Sequence, residues 1–164
     1  MKRNIGVVGI RTELGCLLLE KPNFVPVDID TVSLSKDTAP FLGDVDILVN
    51  CNVVLSVPEK FSDEQFTHAV KLNFEGLKNL HKFYGNKVLT ISSTKIAKWG
   101  QPYEFIMFTA EEASRVNNGK IIRFAPKSSL QFMADRIEKH VADYDNQSRI
   151  TIAKRNWLET LFKW

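Results

Sequence analysis

Gly9 and Gly15 stand six positions apart in the stretch IGVVGIRTELGCLLLE, where a β-prone run passes into an apolar helical pattern. At such a turn, free backbone amides and the positive end of a helix dipole receive a diphosphate, and glycine lets the backbone turn tightly and come close to it. The spacing matches the first and last glycines of G-x-x-G-x-x-G. The middle place holds Thr12, whose methyl would crowd a diphosphate and whose hydroxyl offers it a donor. Gly9, Arg11, Thr12, Glu13, Leu14 and Gly15 therefore form a candidate phosphate-binding turn. An acid is expected after the second strand, where a carboxylate accepts hydrogen bonds from ribose hydroxyls. The segment FVPVDID supplies Asp28, nineteen positions after Gly9, with Asp30 beside it. A carboxylate there favours NAD over its 2′-phosphorylated relative, because carboxylate and phosphate repel. The same residues also read as a strand, turn and helix without a ligand, followed by two solvated turn aspartates.

The elements that must hold these residues are set by hydrophobic patterning. Short β-prone runs at Ile5–Ile10 and Phe24–Val27 precede the nearly continuous apolar run DILVNCNVV, Asp46–Val54, of the kind buried on both faces of a sheet. A long helix is expected from Phe66, Ala69, Val70, Asn73, Leu77 and Leu80, capped by Ser62 and stopped by Gly85. Lys87–Ser93 returns as a strand, EFIMFTAEEASRV reads as a helix stopped by NNG, and Lys120–Pro126 is the next strand. After Pro126 come an amphipathic helix in SLQFMADRIEKHVADY, a short strand in RITIA and a terminal helix carrying Trp157, Phe162 and Trp164. Strands alternating with helices predict an α/β fold, a doubly wound parallel sheet with helices on both faces.

Composition narrows the function classes. A chain of 164 residues, 44% hydrophobic and 25% charged, has room for one sizeable core, so one domain is expected. The net charge of +3 is spread along the chain, which argues against nucleic acid as a partner. No apolar run approaches the length of a membrane span, so no membrane partner is expected. Cys16 and Cys51 read as small buried hydrophobes, in keeping with a reducing, cytoplasmic setting. His68, His81 and His140 lack the helical spacing of a metal site, and neither a nucleophile elbow nor a Walker loop is present.

The ordered segments GIRTELG, VDID, DILVNCNVVLSVPE, AVKLNFEGLKNL, VLTISSTKI and AEEASRVNNGKIIRFAP together resemble the extended short-chain dehydrogenase/reductases, and within them the dTDP-4-dehydrorhamnose reductase branch. The similarity runs from Ile5 to Pro126. It implies a Rossmann-like domain over residues 1–126, with 127–164 as a reduced C-terminal extension, mainly helical, packed on the same domain. It implies NAD or NADP as cofactor, with Asn52 and Val53 lying along it and Asn73 buttressing the sheet. It also implies hydride transfer between nicotinamide and a carbon of a nucleotide-linked sugar, assisted by a Tyr whose pKa is lowered by a Lys four residues later and by a Ser or Thr that holds the sugar oxygen. Ser93 matches the Ser/Thr place and Tyr103 the Tyr place; the Lys place falls on Met107.

Two further departures from the family pattern bear on activity. Ser93 and Tyr103 are only ten positions apart, and 38 residues follow Pro126 where the family builds a larger substrate lobe. Arg136, Arg149 and Arg155 are the remaining candidates for a substrate phosphate, and a homo-oligomer is expected to complete so small a lobe. Two readings stand: a minimal nucleotide-sugar reductase or epimerase, or a non-catalytic Rossmann module that binds a nucleotide or a partner protein.

Overall fold

The computed structural model describes residues 3–39, 42–52, 62–94, 102–125 and 128–153. Val53, Lys95, Lys98, Arg155 and the terminal aromatic segment lie outside the described residues. The chain runs β1 (Ile5–Val8), α1 (Glu13–Leu19), β2 (Phe24–Val27), β3 (Ile47–Asn50), α2 (Asp63–Val70), a π-helical segment (Lys71–Gly76), α3 (Leu77–Tyr84), β4 (Val88–Ser93), α4 (Pro102–Val116), β5 (Lys120–Phe124), α5 (Leu130–Ala142) and β6 (Ile150–Ala153). The six strands form one parallel sheet in the order β2-β1-β3-β4-β5-β6. This is the doubly wound α/β fold expected from the alternating pattern.

Local chemistry sets the ends of the elements. β1 stops at Val8, short of the expected Ile10, because Gly9 turns out of the strand at φ +83°. Ser62 caps α2 with a reciprocal capping box, its hydroxyl accepting from Gln65 N–H while the Gln65 amide accepts from Ser62 N–H. Gly85, at φ +58°, ends α3, and Asn118, at φ +57°, turns the chain out of α4. The π-helical segment was not foreseen. Within it the buried Asn73 donates from Nδ2 to Ala69 O at 2.9 Å, and Gly76 lies where a Cβ would stand 2.5 Å from Thr31 Oγ1.

Each sheet face has its own core. The face covered by α1 and α5 buries Ile5, Val7, Leu14, Val49, Ile91 and Ile137. The other buries Val8, Leu48, Leu77, Leu80 and Ala110 under α3 and α4. A third apolar group, Ala69, Ile106 and Met107, joins α2 to α4. Met133 and Ile137 of α5 and Ala153 of β6 belong to the same core as Ile5 and Val7, and β6 pairs with β5. Cys51 is buried as expected, whereas Cys16 is exposed; it lies off the stripe of Leu14, Gly15 and Leu18 that α1 buries.

Candidate functional site

A parallel sheet brings the carboxyl ends of its strands to one edge. Gly9 follows β1, Asp28 follows β2, Asn52 follows β3, and Ser93 ends β4. The strand order reverses between β1 and β3, since the chain leaves β1 for β2 on one side and returns to β3 on the other. In open α/β sheets the crevice at such a switch point is where ligands bind.

The turn after β1 is held against the end of β3. Cys51 N–H donates to Val8 O at 2.8 Å, and Asn52 N–H donates to Asn50 Oδ1 at 3.1 Å. A Cβ on Gly9 would stand 2.6 Å from Asn52 Oδ1 and 2.8 Å from Asn52 N, and one on Gly15 would meet the Gly9 carbonyl. Both glycines are thus required by the protein's own packing. Thr12 is the N-cap of α1: its hydroxyl donates to Gly9 O at 2.8 Å and accepts from Gly15 N–H at 3.0 Å. The hydroxyl read from sequence as a donor for phosphate is engaged within the turn. Arg11 and Glu13 are exposed at the turn, while Leu14 sends its side chain into the core and leaves only its backbone to face a ligand.

Past β2 the two aspartates differ. Asp30 folds its carboxylate back onto its own loop, accepting from Val32 N–H at 3.0 Å and Ser33 N–H at 3.4 Å. Hydrogen bonding from the Ser33 side chain first, then from the Ser33 and Val32 backbone, holds its pKa below the ordinary value. Asp28 is exposed at the strand end, on the edge shared with Gly9 and Asn52. The following loop is fixed to α3 by Asn79, which donates from Nδ2 to Thr31 O at 3.1 Å and to Val32 O at 3.0 Å.

The structure brings Ser93 and Tyr103 together. Ser93 is buried at the end of β4, Tyr103 lies half-buried in the first turn of α4, and their side chains are hydrogen-bonded. Burial pushes the Tyr103 phenol above its ordinary pKa, and the Ser93 hydrogen bond offsets only part of that rise. One turn further along α4, Met107 is 1% exposed and packs with Ala69 and Ile106. A thioether neither carries charge nor donates a hydrogen bond. Among the described residues, the buried hydroxyl of Ser92, beside Ser93, has no hydrogen-bond partner, and neither has the Oδ1 of Asn73.

Sequence reading did not foresee the buried pair on α4 and β5. Arg123 donates from Nε to Glu111 Oε1 at 2.7 Å and from Nη2 to Oε2 at 2.6 Å, with Glu111 1% exposed. The bidentate geometry anchors α4 to the sheet, and with it the first turn that carries Tyr103. An acid on a helix twelve positions ahead of an arginine on the next strand is the only signal the sequence carries for this pair.

These features define a Rossmann-like α/β fold with a hydroxyl pair at the end of its fourth strand. Structures of similar fold include a hypothetical dTDP-4-dehydrorhamnose reductase from Sulfolobus tokodaii, with 15% identity and a TM-score of 0.64 over 92% of this chain and 76% of that one. The dTDP-4-dehydrorhamnose reductase of Bacillus anthracis in complex with NADP has 18% identity and a TM-score of 0.56, covering 87% of this chain and 61% of that one. A bulky-bulky-ketone-specific alcohol dehydrogenase from Comamonas testosteroni has 11% identity and a TM-score of 0.69, covering 98% of this chain and 91% of that one. At these identities the likeness is one of fold. No protein-family model and no curated protein matches the sequence. No helix among the described residues is long and apolar enough to cross a membrane.

Proposed function

We propose that this chain binds a nicotinamide dinucleotide in the manner of the nucleotide-sugar reductases and epimerases, with proton transfer at its hydroxyl pair much weakened. The observation that carries the reading is the Ser93–Tyr103 hydrogen bond at the carboxyl edge of the sheet, with Met107 packed in the core one turn beyond Tyr103. The turn Gly9, Arg11, Thr12, Glu13, Leu14 and Gly15 would hold the diphosphate through its backbone, Asp28 the adenosine ribose, and Asn52 and Val53 the cofactor's flank. The residues fit such a group in that the tight turn, its glycines and the exposed acid share one edge. The bound cofactor would supply the hydride.

Ser93 would hold the oxygen of a sugar carbonyl and Tyr103 exchange a proton with it. A phenol whose pKa lies above its ordinary value of 10.0 is a poor base at neutral pH, and Met107 supplies no charge to lower it. The raised phenol and Met107 together favour the second reading, a non-catalytic Rossmann module. The setting in either case is cytoplasmic, with a homo-oligomer completing the small substrate lobe.

Nicotinamide fluorescence on titration with NADH and NADPH tests the binding half of this reading. Asp28→Ala should weaken NADH by about 1–2 kcal/mol if the carboxylate accepts from the ribose and should narrow any preference over NADPH. Gly9→Val is uninformative, since it also breaks the packing on Asn52. The catalytic half is tested by loss of reduced-nicotinamide absorbance with a dTDP-4-keto sugar. The wild type should turn over slowly or not at all, and Met107→Lys should raise the rate about tenfold or more, part of the ~10²–10⁴ typical of general acid–base groups. Fast wild-type turnover that survives Tyr103→Phe would remove Tyr103 from the reaction, and failure of both dinucleotides to bind would overturn the reading.

A further inference from the structure

At the end of the sheet opposite Gly9 and Ser93, a cleft of about 590 Å³ opens beside the amino ends of β3 and β4. Its floor is Val45 and Leu48, and its walls are Ala39, Leu42, Phe83 and Tyr84. These four wall residues are among the five partly buried hydrophobics that pack against the core under α3 and α4. The cleft is therefore where that core stays open to solvent. Its volume falls within the roughly 300–1,000 Å³ of small-molecule sites, which pair an apolar lining with a few placed polar groups.

The polar groups placed here are cationic. Lys36 and Lys87 line the cleft, and Lys82 holds its ammonium 5.5 Å from the centroid of the Phe83 ring. Lys87 donates one hydrogen bond, to Val45 O at 3.1 Å, which fixes the ammonium at the rim and leaves two of its donors. Among the described residues neither Lys36 nor Lys87 has a carboxylate partner. Two unpaired ammonium groups over an apolar floor complement one kind of ligand, a molecule with an apolar body and a single anionic head.

We propose that this cleft is a second ligand site, separate from the carboxyl edge of the sheet, that binds a small amphiphilic carboxylate with its apolar body on Leu42 and Phe83 and its head between Lys36 and Lys87. The site needs nothing from the nucleotide edge, so it stands or falls independently of the function proposed above.

Hydrocinnamate and its uncharged counterpart hydrocinnamyl alcohol are suitable probes, titrated separately into the full chain and followed in backbone amide correlation spectra. Hydrocinnamate should give saturable shifts at Lys36, Leu42, Gly43, Phe83 and Lys87, with an affinity about tenfold above that of the alcohol. Lys36→Gln combined with Lys87→Gln should abolish that preference while leaving alcohol binding unchanged, with an unaltered amide spectrum away from the cleft checking that the fold is kept. Phe83→Ala should weaken both probes. Equal affinity for acid and alcohol, a preference that survives the double substitution, shifts centred on Gly9, Asp28 and Ser93, or no saturable shift at all would each overturn the proposal.

Discussion

The α1/α5 and α3/α4 faces of the sheet each bury one histidine, but they treat it in opposite ways. Under α3 and α4, His81 is engaged at both ring nitrogens, by Gly85 O at 2.9 Å and by Ser114 Oγ at 3.1 Å, and Ser114 bonds in turn to Thr90 of β4. A carbonyl only accepts, so Nδ1 carries the ring proton; burial holds the ring neutral, which leaves Nε2 to accept from Ser114. Under α5, His140 is 4% exposed, both its nitrogens lack a hydrogen-bond partner among the described residues, and its ring meets that of Tyr144 edge-on with centroids 6.0 Å apart. Burial, with Lys120 adding to it and Asp143 opposing, pushes the pKa of His140 down to about 4. One face has turned a buried polar ring into a tie between helix and sheet. The other tolerates it only while it stays uncharged.

The difference should be largest where the tied ring leaves no room. Gly119 packs on His81, and a Cβ there would press on Cε1 and lie 2.9 Å from Nε2. Because the ring is pinned at both nitrogens, Gly119→Ala should cost about 2–3 kcal/mol in denaturant unfolding. Removing the ring as well, in Gly119→Ala/His81→Ala, should cost clearly less than the two single changes summed. A near-neutral Gly119→Ala would show that the ring is free to move and the tie is loose.

The untied ring should betray itself in acid. Between its ordinary pKa of 6.5 and its native value of about 4, the unfolded chain takes up a proton that the native chain refuses, so stability falls as the pH is lowered through that window. The loss should reach about 2–3 kcal/mol near the lower end. His140→Phe keeps the edge-on contact with Tyr144 and should flatten this part of the stability-against-pH curve. An unchanged acid limb in His140→Phe would show that His140 is protonated in the native protein without penalty.

A smaller effect is expected on the same face at Thr12, whose hydroxyl caps α1. Thr12→Ala should lower stability by about 1 kcal/mol, and Thr12→Gly by only a few tenths, both read as shifts in thermal midpoint. A loss confined to dinucleotide binding, with stability unchanged, would mean that the hydroxyl serves the ligand rather than the helix.

Much of this was legible in the sequence. Strands buried on both faces leave continuous apolar runs, which is why DILVN, KVLTISS and KIIRF could be placed from composition alone, and the stops at Gly85 and Asn118–Gly119 follow from backbone chemistry. Ser93 and Tyr103 could be paired only through the resemblance, since the helical pattern in the sequence starts at Glu104, whereas α4 begins at Pro102 and takes Tyr103 into its first turn. What could not be read depends on contacts between distant segments. The π-helical stretch keeps an ordinary helical pattern in Ala69, Asn73, Leu77 and Leu80, although its backbone departs from α geometry from Lys71 to Gly76, the last of which lies against Thr31. Thr12 was read for a ligand when its geometry serves Gly9 and Gly15, and Asp30 looked equivalent to Asp28 until its loop closed on it. The cleft of Lys36, Leu42, Phe83 and Lys87 is assembled from separate stretches of chain, none of which carries a motif.

Pro26 makes the two borders of the sheet unequal. β2 is the outermost strand on its side, pairing only with β1 in a register that sets Pro26 opposite Val7, and both Val25 and Pro26 are exposed. A strand at an edge is a template for further strands, and a proline within it withholds one donor from any newcomer. At the far side β6 carries Ile150, Thr151, Ile152 and Ala153 without a proline, with Ile152 exposed. Among the described strands, then, the β2 border is chemically blunted against recruiting another chain and the β6 border is not, so strand addition to this sheet would be favoured at β6, the border farther from Gly9 and Gly15.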